Sequence, residues 1–88
     1  MKLKSGDLVQ FGKLVATSWD SRWIVIFSEV KMTPDNKVLH LTGKHIYVHT
    51  GQVAIVTSTL ESVDGVTVVG LAYGTGTWYV AAGCIKRI

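Results

Sequence analysis

The sequence predicts a small all-β domain, and three observations carry that reading. Thirteen valines, six isoleucines and nine threonines make about a third of the 88 residues β-branched, against five alanines and two glutamates. Such side chains lose rotamer freedom on a helix and pack well on a pleated sheet. No long stretch carries an apolar i, i+3, i+4, i+7 stripe between helix caps. Turn residues recur at roughly 8–12-residue intervals, the rhythm of a small barrel or sandwich.

The breakers place the strands. Gly6-Asp7 leads into a first strand over Leu8 to Ala16, and Arg22 to Lys31 forms the next. Its run Trp23-Ile24-Val25-Ile26-Phe27 is apolar at every position, which predicts a central strand covered on both faces, with Trp23 in the core. Thr33-Pro34-Asp35-Asn36-Lys37 is the strongest turn signal, since proline presets φ and Asn tolerates positive φ. Val38 to Leu41 and Lys44 to Thr50 read as two strands divided near Gly43. Gln52 to Leu60 and Val66 to Tyr73 flank Asp64-Gly65, which suggests a type I′ hairpin. Gly74-Thr75-Gly76 turns the chain into Thr77 to Ala82, and Ile85 to Ile88 closes it.

Composition bounds the function. Residues 1–88 make a single domain, too short for a multidomain enzyme. With 48% apolar and 17% charged residues the chain is not disordered. Its apolar runs are too short for a membrane-spanning helix or a secretory signal. A lone Cys84 favours a reducing, cytoplasmic setting. Forty-two apolar residues against 15 charged ones exceed what a thin core can absorb, so a homo-oligomer is expected. Val66 to Tyr73 or the strand around Tyr79 would form the contact.

Several segments resemble the small SH3-like barrels common among short bacteriophage and bacterial proteins. Gly51-Gln52-Val53-Ala54-Ile55-Val56 looks like an opening strand, and Asp64-Gly65-Val66-Thr67-Val68-Val69 like a hairpin return. Gly76-Thr77-Trp78-Tyr79-Val80 looks like the following strand, and Ala82-Gly83-Cys84-Ile85-Lys86-Arg87-Ile88 like a short helical turn with a closing strand. Gly6-Asp7-Leu8-Val9 is similar to the first strand of such barrels and to KOW motifs. The resemblance implies a barrel of about five to seven short antiparallel strands, in an accessory protein of the host cytoplasm if phage-encoded. The acidic loop and tyrosine-rich groove of SH3 peptide binders are missing, and the spaced glycines of KOW are incomplete. Neither proline-rich peptide binding nor ribosomal RNA binding carries over.

The candidate site residues are aromatic and basic. If Ile46 and Val48 face the core, His45, Tyr47 and His49 form an outward row with Lys44 at its end. Aromatic faces beside cations stack bases and hold phosphates in small barrels; a half-exposed sheet surface needs the same residues for no such purpose. Trp19 in a polar loop is an anchor for a partner or packs on its own domain. Of Trp78 and Tyr79 one points outward, and Tyr79 is the choice. Lys2, Lys4, Lys86 and Arg87 form one basic patch if first and last strands adjoin, or simply solubilise the termini. His45 and His49 stand about 13 Å apart along a strand, too far to share an ion, so no metal or cofactor is expected. Cys84 has no base beside it in sequence, and no nucleophile elbow or carboxylate pair appears, so no enzyme is expected. The expectation is a non-enzymatic, self-associating binding module whose partners are itself and another protein, and not a membrane. A single-stranded nucleic-acid binder and a structural subunit of a larger assembly are the alternatives.

Overall fold

Alternate side chains of a strand share a face, so a chain rich in β-branched residues folds where every second one finds a surface to cover. The computed structural model describes residues 3–12 and 23–88. Its strands are β1 (Leu8–Phe11), β2 (Trp23–Met32), β3 (Val38–His49), β4 (Val53–Glu61), β5 (Thr67–Tyr73), β6 (Gly76–Ala81) and β7 (Ile85–Arg87). A 3-10 turn over Ala82–Cys84 precedes β7. The fold is all-β, a seven-stranded sheet in the order β3-β2-β6-β5-β4-β1-β7 with antiparallel neighbours. β3 and β7 end the order without pairing to each other, so the sheet stays open.

The sheet curls around a single core. Phe11, Ile26, Val48, Val56, Leu71, Val80 and Ile85, one from each strand, belong to one buried cluster. Burying a side chain such as Ile26, fully enclosed here, contributes about 1.5–3 kcal/mol. The far end of the β2–β3 hairpin folds back onto the end of β4. There Val63 N–H donates to the Val38 carbonyl at 3.0 Å, and Lys37 Nζ meets Glu61 Oε1 at 3.2 Å.

Four expectations need correction. β2 is not covered on both faces: Ile24 and Ile26 are buried, while Trp23 is 44% exposed and Val25 is exposed too. The unbroken apolar run hid this alternation. The central strand is β5, fourth in the order, where Val68, Val69, Gly70 and Leu71 are all buried. It therefore offers no free edge for self-association, and neither does β6, held between β2 and β5. The two strands divided near Gly43 are one strand with a bulge. Ser28 opposes both Gly43 and Lys44, between the pairs Phe27↔His45 and Glu29↔Thr42. Gly43 has φ +84, and a Cβ there would lie 2.5 Å from Ser28 Oγ.

The Asp64-Gly65 turn is not type I′, because Asp64 does not take positive φ. Gly65 N–H donates to the Ser62 carbonyl at 3.0 Å, and Gly65 alone is left-handed, at φ +84. The turn is thus type I closed by a left-handed residue. Thr33–Lys37 repeats it, with Asn36 N–H on the Thr33 carbonyl at 3.0 Å and Asn36 at φ 65. The expected strand ends at 13–16 and Arg22 lie outside the described residues.

Candidate functional site

The bulge at Gly43 separates the β2–β3 hairpin into two parts. Between it and the end of β3 the register is unbroken: Phe27↔His45, Ile26↔Ile46, Val25↔Tyr47, Ile24↔Val48 and Trp23↔His49. Even-numbered residues here face the core, so odd-numbered ones share the outer face. His45, Tyr47 and His49 are all exposed, Tyr47 at 64%. Opposite them stand Phe27, Val25 and Trp23, three apolar residues assigned from sequence to a covered strand.

The rings of this face meet in two groups, Trp23 with His49 and Phe27 with His45 and Tyr47. Trp23 and His49 meet edge-to-face with centroids 5.1 Å apart. His45 meets Tyr47 edge-to-face at 5.8 Å and Phe27 at 5.9 Å. Edge-to-face pairs place the positive ring edge on a partner's negative face, worth about 0.5–1.5 kcal/mol beyond area burial. His49 Nδ1–H donates to the Thr50 carbonyl at 2.7 Å, since a carbonyl only accepts.

Tyr79 joins the face through β6, paired with Phe27 on one side and Gly70 on the other. It is half-buried, while its neighbour Trp78 packs against the core. Gly70 makes room for this arrangement. A Cβ at 70 would stand 2.5 Å from Ser58 Oγ and 3.2 Å from Tyr79 Cε1. The close Ser58 approach follows from Thr57, an extra residue in β4 that bulges that strand.

Lys86 and Arg87 are not brought to this face. They lie on β7, paired with Gln10 and Val9 of β1, at the other end of the strand order from β3. First and last strands do adjoin, but among the described residues no hydrogen bond or ion pair links Lys86 or Arg87 to the aromatic row. Lys44, exposed at the bulge, precedes His45 in sequence, and its backbone N–H donates to Ser28 Oγ at 2.9 Å. Trp19 and Lys2 lie outside the described residues. Cys84 is half-buried and packs on the core.

Sequence reasoning missed Trp23, Val25 and Phe27. The signal available was the register of the hairpin itself: a turn centred on Pro34-Asp35 sets the 20s against the 40s and pairs Trp23 with the histidine row. A second exposed apolar cluster lies on the outer side of β1 and β4. Leu8 pairs with Ile55, and Ile88 N–H donates to the Leu8 carbonyl at 3.1 Å. Ile55 is 49% and Ile88 66% exposed. Among the described residues no helix is long and apolar enough to cross a membrane.

Comparison with known proteins leaves the geometry as the sole guide to function: no protein-family model, no curated protein and no solved structure matches the chain.

Proposed function

We propose that the chain is a non-enzymatic binding module, a small SH3-like barrel of phage or bacterial origin that works in the cytoplasm by docking another protein. One observation carries this reading: Trp23, Val25, Phe27, Tyr47 and Tyr79 are gathered on one outer face with His45 and His49. A chain of this size gains no stability from leaving Trp23 and Tyr47 in water, whereas such rings anchor interfaces. Truncating Tyr47 to alanine should weaken binding of a partner at this face by about 1–3 kcal/mol while leaving the fold intact. Isothermal titration calorimetry reads the first and circular dichroism the second; unchanged affinity would remove Tyr47 from the interface.

Self-association is the second part of the proposal, through the Leu8, Ile55 and Ile88 cluster in place of β5 or β6. A compact apolar cluster is sticky in a monomer, and closed symmetry limits the assembly it forms.

Single-stranded nucleic acid remains a separate reading, favoured by the exposed rings of His45, Tyr47 and His49 with Lys44 next in sequence. Lys44→Ala, and not Lys86→Ala, should then reduce the salt slope of oligonucleotide binding by about one. Equal salt slopes for the two variants would set that reading aside.

A further inference from the structure

We infer that the outer edge of β3 at His45 and Tyr47, short of His49, whose N–H and C=O are both bonded to Gln52, takes up an acidic, extended segment of a partner protein as an added strand. The inference rests on the reading of the aromatic face as a binding surface and names what binds there.

Backbone direction is the first support. β3 ends the strand order, so one side of it has no strand partner among the described residues. His49 N–H donates to Gln52 Oε1 at 3.2 Å, not across to β2. Trp23↔His49 is therefore a non-hydrogen-bonded pair, and strict alternation makes Val25↔Tyr47 and Phe27↔His45 the same. Such pairs bring side chains close, in keeping with ring centroids at 5.1 Å and 5.9 Å. His45 and Tyr47 accordingly turn their N–H and C=O groups to the open edge and their rings to the outer face. A strand added there gains backbone hydrogen bonds, and its alternate side chains come to lie beside Tyr47 and the histidines.

Charge selects the occupant. β3 carries Lys44, His40, His45 and His49 and no acidic residue. Glu29 of β2 pairs with Thr42 and brings its carboxylate to the bulge, where a Cβ on Gly43 would lie 2.8 Å from Glu29 Oε2, and Glu61 is engaged by Lys37. Lys44 makes no ion pair among the described residues. Lysine and a bulge are devices that discourage indiscriminate edge pairing. Here they end the usable stretch at His45 and leave it open to a strand of opposite charge.

The test titrates the full chain with four probes, followed by fluorescence anisotropy and amide chemical shifts. They are a peptide alternating glutamate with valine and phenylalanine, the same peptide with alternate backbone amides N-methylated, its lysine counterpart, and an oligothymidylate. The acidic peptide should bind and shift amides 45–49. N-methylation should weaken it at least about tenfold, as expected for two lost hydrogen bonds, and the lysine peptide should bind more weakly still. Tyr47→Ala should weaken the acidic peptide yet preserve the N-methyl effect. An N-methylated peptide that binds as well as its parent overturns strand addition; the aromatic face survives that result if Tyr47→Ala still weakens binding. Failure of both effects overturns the face as well. Binding of oligothymidylate without the acidic peptide, or 45–49 shifts that follow protein concentration alone, overturns the acidic partner.

Discussion

Trp23 and Ile24 are neighbours in sequence on opposite faces of one strand, and a substitution at each separates core from surface. Ile26, fully buried on the face of Ile24, should cost about 2–5 kcal/mol when cut to alanine, as cavity-forming changes do. Trp23→Ala removes an edge contact with His49 and should cost roughly 0.5–1.5 kcal/mol, despite the larger side chain. Urea denaturation of both variants checks the order; a Trp23 loss exceeding that of Ile26 would place the indole in the core after all. The all-β class and the outward row of His45, Tyr47 and His49 were legible because Ile46 and Val48 alternate with polar-edged rings. The other half of the face was not. In Trp23 to Phe27 every residue is apolar, so period-two patterning has no contrast to display, and only the cross-strand partners reveal which side is wet. Gly70 was likewise invisible: its need is space beneath Ser58 and Tyr79, which local sequence does not record.

At the level of elements, two turns share one hydrogen-bond scheme. In each a hydroxyl, of Thr33 or Ser62, donates to the carboxylate two residues on, Asp35 or Asp64. The same hydroxyl accepts the N–H four residues on, from Lys37 at 3.1 Å or Val66 at 3.0 Å. The hydroxyl donors, with help from backbone N–H groups, hold both carboxyls below their ordinary value of 3.8. A carboxylate whose pKa is lower folded than unfolded stabilises the fold above the unfolded value, and that contribution fades as pH falls through the folded one. Acid should therefore loosen both turns from about pH 3.8 downward and leave them unaffected at neutral pH. Carbon-detected titration of the Asp side chains checks this. In Thr33→Ala and Ser62→Ala the pKa of Asp35 or Asp64 should rise toward the ordinary value; an unmoved pKa would show that the hydroxyl is not the cause. The sequence marked both turns, and their kinship is legible only once each is read from its hydroxyl, as Thr33-Pro34-Asp35-Asn36 and Ser62-Val63-Asp64-Gly65.

For the molecule as a whole, an open sheet with a thin core leaves apolar residues outside in several places, Met32, Leu39, Val63 and Val66 included. The Leu8, Ile55 and Ile88 cluster lies on β1, β4 and the end of the chain, and the aromatic face lies on β2 and β3. We propose the first surface for self-association and the second for partner docking. Light scattering coupled to size exclusion should give a multiple of the 9.6 kDa chain mass, and Ile55→Ser should return it to one chain; a wild-type mass of one chain at tens of micromolar would remove self-association. Excess apolar content was legible in the composition, yet its location was not, because strand order decides which runs lie at the centre. The central claim, that the β2–β3 aromatic face is the working surface, is tested most directly by mapping amide shifts on binding a partner. The largest shifts should fall at residues 23–27, 45–49 and 79; shifts centred on Leu8, Ile55 and Ile88 with residues 23–27 and 45–49 unmoved would contradict it.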